Sequence, residues 1–387
     1  MLKKSKFLIP GIILVAAMLR IPFTTIPSIL TEVAQGLHVP VSSLGTLTTI
    51  PLLMFALVSS FAPKLAQRIG MECSFALVLA LMAVGSFIRV LNVPLLYLGT
   101  AFIGGGIAVL NVLMPSIVAA YFPQQIGKYT TLYTTSMGIA AALASSLAVP
   151  ITQASSWKFL IIILSGLIIL SLIVWLPNTH YNHKLAVKHQ QESKSFWTNK
   201  TAWILLIFGG LQSMMFYTGL TWLPTMATKT GLSHATAGSL SGVYSLISLP
   251  LSMLLPNLVA RATAKKRRQL MGIFCLLGIL GVSLLFFQQA NFWYWLLINC
   301  LIGASVGALF PYLMTTFALK TQTAQQTAKL SGMVQTGGYL LAAIGPFLFG
   351  YGFELFNSWT LSISCLLLAS LGMTACMLYV EHFDKID

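Results

Sequence analysis

The chain has 387 residues, of which 57% are hydrophobic and only 7% are charged. Soluble globular chains carry roughly 25% charged residues, and disordered chains lack this much Leu, Ile, Phe and Val, so both classes are excluded at the outset. The 22 Lys and Arg exceed the 7 Asp and Glu, but they sit in short segments between apolar runs. That distribution signals membrane topology and not nucleic acid.

In chain order, twelve apolar runs reach or approach the roughly 20 residues that a membrane-spanning helix needs. They are 7–30, 44–62, 73–91, 95–120, 130–151, 159–176, 201–224, 237–259, 270–287, 292–317, 330–352 and 359–380. Strand-type alternation is absent from them, and helices are then the way to satisfy their backbones in lipid. The first run follows Lys3, Lys4 and Lys6, but no small-x-small cleavage site follows it. It continues through Arg20 and Pro22, and reads as a retained first helix.

The longest polar stretch, 177–200, falls between the sixth and seventh runs. Its His180, His183 and His189 match no compact ligand spacing, and it reads as a solvated linker. The expected organisation is an all-α membrane protein of twelve transmembrane helices: a bundle over 1–178, a linker over 179–200 and a second bundle over 201–387. With the N-terminus in the cytoplasm, the outer edges hold only Arg89, Lys158 and Lys229, and Arg20 lies within a run. The other 18 of the 22 cations are inside, which places both termini in the cytoplasm of a cell's plasma (inner) membrane.

The five cysteines, Cys73, Cys275, Cys300, Cys365 and Cys376, lie in or beside apolar runs without a CxxC pair. They read as small core residues. All six histidines fall outside the apolar runs. With no HExxH, no paired mid-membrane carboxylate and no nucleophile beside a base, enzyme chemistry has little support. No metal and no cofactor is expected.

The two halves echo each other. Pro63 and Arg68 follow the second run as Pro256 and Arg261 follow the eighth. The fourth run carries Ile103-Gly104-Gly105-Gly106-Ile107-Ala108, and the tenth Ile302-Gly303-Ala304-Ser305-Val306-Gly307. Lys128 precedes the fifth run as Lys329 precedes the eleventh, and Pro27 is matched by Pro224. These echoes predict parallel repeats about an axis normal to the membrane. The glycine triplet has no strand before it and no G-K-[ST] after it, so it reads as a close helix contact and not a phosphate loop.

Arg20 is the sharpest single feature. It lies 13 residues after Phe7, roughly 20 Å along a helix at 1.5 Å per residue. A mid-helix Arg costs roughly 2.5–3.5 kcal/mol on insertion scales, and none of the seven acids falls in the middle of a run. It must then use carbonyls, hydroxyls, water or a solute anion. An anionic or strongly dipolar solute is the expected partner, a purely structural role the alternative, and Thr24 lies one turn further on the same face. Asn111 interrupts the fourth run, where an amide needs a partner helix or a cavity. Mid-run Tyr133, Tyr217, Tyr244 and Tyr339 complete the candidate binding set with Gln335. Gln335 and Tyr339, four apart, share a helix face. Gln335 is placed to face Arg20 across a central cavity.

Leu19-Arg20-Ile21-Pro22, Leu47-Thr48-Thr49-Ile50-Pro51 and Asn111-Val112-Leu113-Met114-Pro115 resemble the cyanate/2-nitroimidazole permease branch of the major facilitator superfamily. So do Trp222-Leu223-Pro224 and Ser331 through Tyr339. The resemblance covers nearly the whole chain and implies the major facilitator fold, two six-helix bundles rocking around a midplane site. The superfamily's loop after the second span reads G-x-x-x-D-R-x-G-R-R. Here the segment is Pro63 to Glu72, with Gln67 in place of the acid and Met71 in place of an Arg. Arg68, Gly70, Glu72 and, in the second half, Arg261 are the candidate gating residues.

The expectation is thus a secondary active or facilitative transporter working by alternating access. Its partners would be the lipid bilayer and a small anionic or polar solute, cyanate-like or nitroheterocyclic. It would act as a monomer without nucleic acid. Multidrug efflux of lipophilic compounds is one alternative. A membrane enzyme or scaffold is the other.

Overall fold

A computed structural model describes residues 4–39, 44, 47, 50–184 and 195–386. Lys3, Thr48, Thr49, Lys188, His189, Glu192 and Lys194 lie outside the described residues. Those described are helical throughout, with no strand among them. The first part of the chain holds α1 (Leu8–Met18), α2 (Ile21–Ser28), α3 (Leu30–Leu37), α4 (Ile50–Val58), α5 (Ala62–Ile69) and α6 (Met71–Ile88). Then come α7 (Val93–Tyr121), α8 (Ile126–Ala154) and α9 (Trp157–Trp175). Beyond the linker lie α10 (Lys200–Lys229), α11 (His234–Leu246), α12 (Ser248–Arg261), α13 (Ala264–Leu284), α14 (Phe292–Leu319), α15 (Ala324–Phe356) and α16 (Thr360–Val380).

Eleven described stretches are long and apolar enough to cross a membrane, counting α4–α5 as Ile50–Ile69 and α11–α12 as Thr236–Arg261. The twelfth expected span, the first in the chain, is not one helix. It breaks at Leu19–Arg20 and again at Ile29. Pro22 and Pro27 explain this locally, since each lacks the N–H that would close a turn back onto residue i−4. Six of the other helices, α7, α9, α10, α11, α13 and α14, start on polar side-chain caps that satisfy orphan N–H groups. Asn92 accepts from Leu95 N at 3.0 Å, Asn199 from Ala202 N at 3.0 Å and Asn291 from Trp293 N at 2.8 Å.

The chain divides into two compact units. One comprises Met1–Gln125, Leu132–Glu192 and Thr323–Gly332; the other comprises Ile126–Thr131, Ser193–Gln322 and Met333–Asp387. In the first, α7 packs against α4, α5 and α6, and α9 covers α6 and α1. In the second, α14 packs against α10, α11, α12 and α13, with α16 beside α10 and α13. Thus α7 and α14, the two helices carrying the matched glycine segments, are the central helices of their units.

The glycines do the packing expected of them. A Cβ on Gly104 would lie 2.9 Å from Pro51 Cα on α4. Its repeat partner Gly303 approaches α11, where a Cβ would lie 2.8 Å from the Tyr244 carbonyl. Each unit therefore brings two helices to backbone distance through the same glycine.

The stretch expected to be solvated, 177–200, is packed in part over its first residues. Leu176–Tyr181 forms a 3₁₀ turn continuing α9, and Asn178 is buried within it. Asn182 and His183 are packed onto the loop before α6, for reasons given below.

Candidate functional site

Arg20 sits at the break in the first span. It is the residue before α2, with φ −121° and ψ −45°, and is half-buried. The Thr24 hydroxyl donates to the Arg20 carbonyl at 3.1 Å, and the Thr24 amide does so at 2.9 Å. The carbonyl at the break is thereby satisfied from one turn below, and Arg20 and Thr24 are joined as one element. Arg20 is the N-cap residue of α2, so its backbone stands at the positive end of that helix, an end that favours a negative group. In the same unit Asn111 and Tyr133 are buried, at 7% and 2% exposure, on α7 and α8.

The second unit repeats the hydroxyl-to-carbonyl bond, inside the unbroken α10 and with different chemistry. Arg20 lies seven residues before Pro27, and Tyr217 lies seven before Pro224. Thr221 donates to the Tyr217 carbonyl at 2.8 Å, as Thr24 does to that of Arg20. A tyrosine thus takes the register of the arginine. Tyr217 packs edge-on against Phe216, with ring centroids 5.2 Å apart. Tyr244 is 1% exposed, and its hydroxyl donates to the Phe216 carbonyl at 3.1 Å, fastening α11 to α10.

Gln335 and Tyr339 are brought together on one wall of a recess in the second unit. Gly209 and Ser213 of α10 form another wall, and Phe310 and Met314 of α14 a third. The recess is narrow and partly open, with Leu313, Val334 and Gly338 completing its lining. Its geometry is set where α10 crosses α15. A Cβ on Gly210 would lie 3.2 Å from Gly338 Cα, so the two backbones nearly touch. Two residues further, Gln212 is buried, and its amide donates to the Val306 carbonyl of α14 at 2.9 Å. Ser213 Oγ donates to Gln212 Oε1 at 3.3 Å. Ser213 and Phe310 were not singled out in the sequence. A serine and a phenylalanine in apolar helices carry no signal until a neighbouring helix faces them.

The candidate gating residues separate. Arg68 and Arg261 are exposed in the last turns of α5 and α12, where a cation suits the helix dipole. Gly70 adopts φ +94°, a conformation open to glycine. The Asn182 side chain lies against it, donating to the Ile69 carbonyl at 2.6 Å and accepting from Cys73 N at 3.3 Å. Glu72 is fully buried in the first turn of α6. Its carboxylate accepts from the Tyr121 hydroxyl at 2.5 Å and from the His183 amide at 2.7 Å. His183 Nδ1 lies 3.4 Å away, and Trp175 Nε1 donates to the Glu72 carbonyl at 2.9 Å. Glu72 therefore ties the chain after α9 and the end of α7 to the start of α6.

A second buried glutamate closes the other unit. Glu381, 3% exposed, accepts from the Tyr312 hydroxyl at 2.6 Å and Arg267 Nε at 3.0 Å, with Lys320 Nζ 3.7 Å away. Burial pushes the Lys320 ammonium below its ordinary pKa, and Glu381 opposes that shift. Lys320 Nζ also donates to the Phe383 carbonyl at 2.5 Å.

Comparison with known proteins places this architecture. Residues 12–346 match the Major Facilitator Superfamily. The chain is 37% identical over 377 residues to an uncharacterized transporter, YycB, of Bacillus subtilis, covering 96% of this chain and 92% of that one. It is 35% identical over 382 residues to the 2-nitroimidazole transporter of Escherichia coli, covering 96% of each. The Escherichia coli cyanate transport protein CynX is 22% identical over 347 residues, 88% of each chain. Among solved structures, the proton:xylose symporter XylE superposes with a TM-score of 0.75 at 13% identity, over 98% of this chain and 97% of that one. The chain is thus a multi-pass membrane transporter, not an enzyme, and belongs to the major facilitator superfamily.

Proposed function

We propose that the protein carries a small anionic or strongly dipolar solute across the plasma membrane by alternating access, as a monomer with both termini in the cytoplasm. The observation that carries this reading is Arg20, a cation placed where the first span breaks and a new helix begins. Broken helices whose half-helix N-termini meet anionic groups are how transporter folds build solute sites at membrane depth. Solute contacts are assigned to Arg20, Thr24, Asn111 and Tyr133 in the first unit, and to Tyr217, Tyr244, Gln335 and Tyr339 in the second. Gating is assigned to Arg68, Gly70, Glu72 and Arg261.

The 35% relative's 2-nitroimidazole favours a nitroheterocycle as the solute, and cyanate is supported by a more distant likeness. Both are compact and strongly dipolar or anionic. The test is uptake of labelled 2-nitroimidazole and of labelled cyanate into proteoliposomes, compared with protein-free vesicles. Saturable entry of either solute above the protein-free level is expected. Entry of both at the protein-free rate would refute the assignment. Each solute should also raise the protein's melting temperature if it binds the folded state.

A further inference from the structure

Within α14, every residue from Ser305 to Ala318 is buried except Phe310, which is partly accessible. That accessible ring lines the recess of the second unit together with Ser213, Gln335 and Tyr339. The recess is therefore two-sided: apolar where α14 presents Phe310 and Met314, and hydrogen-bonding where α10 and α15 present a hydroxyl, an amide and a phenol.

The repeat register sharpens the point. Asn111 lies eight residues after Ile103, and Phe310 eight after Ile302, in the matched segments of α7 and α14. One unit carries an amide at this register where the other carries an aromatic ring. Tyr217 in the register of Arg20 is a second substitution of the same kind. At both positions the second unit has exchanged polar or charged groups for aromatic faces.

Resting on the transporter reading above, we propose that Phe310 is a specificity-determining residue: its ring stacks on a flat, electron-poor heteroaromatic solute whose polar edge is held by Gln335 and Ser213. An aromatic face attracts an offset-stacked ring beyond the area it buries, and the Met314 thioether beside it suits an aromatic edge. An amide supplies both a donor and an acceptor, and a hydroxyl does the same, so a nitro group and a ring N–H are both served. A linear triatomic anion has no face to offer Phe310 and gains nothing from it.

The test measures binding of labelled 2-nitroimidazole and labelled cyanate to purified wild type, Phe310→Leu and Phe310→Tyr, each confirmed monodisperse. Phe310→Leu is expected to weaken 2-nitroimidazole about tenfold, the scale of one lost aromatic stack, while any cyanate affinity stays within twofold. Phe310→Tyr keeps the face and is expected to bind 2-nitroimidazole within about threefold of wild type. Undiminished 2-nitroimidazole binding by Phe310→Leu overturns the proposal, as does an equal loss for both solutes. Wild type that binds cyanate but not 2-nitroimidazole overturns the flat-ring assignment and leaves the small-anion reading standing. Wild type that binds neither overturns both.

Discussion

The Tyr121 hydroxyl donates to the buried carboxylate of Glu72 across 2.5 Å, joining the last residue of α7 to the first turn of α6. A buried carboxylate left short of donors is costly, about 1–3 kcal/mol for one lost hydrogen bond and more when the group is charged. Tyr121→Phe should therefore lower the melting temperature by several degrees. Tyr312→Phe should lower it less, because Glu381 keeps Arg267 and Lys320. Thermal unfolding in detergent ranks the two, and the reverse order would show that the cations do not compensate.

Arg20→Ala should reduce specific uptake to the level of empty vesicles while the protein still inserts and folds, since removing a costly intramembrane charge does not destabilise a helix in lipid. Arg20→Lys should restore uptake only in part, because an ammonium cannot reproduce two parallel hydrogen bonds. Unchanged uptake and solute affinity in Arg20→Ala would remove the arginine from the site.

Topology is checked by cysteine labelling in a variant whose native cysteines are replaced. An impermeant reagent applied to intact cells should modify His38→Cys and Lys229→Cys, and should not modify Lys188→Cys or Lys266→Cys, following the cation asymmetry. Labelling of Lys266→Cys from outside would invert the orientation.

Arg89 closes α6 and is 1% exposed, and its Nε and Nη1 have no hydrogen-bond partner among the described residues. A desolvated charge with unused donors is a net cost. Arg89→Met, which keeps the apolar stem, should leave the melting temperature unchanged or raise it. A fall of several degrees would show that the guanidinium is satisfied in the membrane.

Energy coupling should not pass through a carboxylate relay at mid-span. Glu32 stands in the first turn of α3, and the buried Glu72 and Glu381 lie at helix ends with their donors around them. The expected behaviour is facilitation or exchange, or proton symport in which the solute itself or Glu32 carries the proton. Counterflow in proteoliposomes with and without a pH gradient measures this. Gradient-driven accumulation of a fixed-charge solute that survives Glu32→Gln would contradict it.

The helices were legible because lipid leaves a backbone few alternatives, so apolar length alone located the runs. Legible too was the pairing of Gln335 with Tyr339, a matter of spacing on one helix. The break at Arg20 was partly written in Pro22 and Pro27, yet a proline inside a span is often absorbed, as Pro224 is in α10. Nothing in the linear order announces that Glu72 meets Tyr121 and His183, which come from distant parts of the chain and are brought together by packing. Phe310 was invisible for the opposite reason: an apolar residue in an apolar run looks like core until the helices around it leave one face uncovered.

The crossing of α10 and α15 at Gly210 and Gly338 acts as a spacer made of missing atoms. The width of the neighbouring recess is set by how closely two bare backbones approach, not by the side chains that line it. A single methyl group added at Gly210 would press on Leu341 and on the facing glycine, levering the walls apart while Ser213, Phe310 and Gln335 keep their identity. Substrate preference in such a carrier can then drift through positions that never touch the cargo, and a comparison restricted to lining residues would miss the cause.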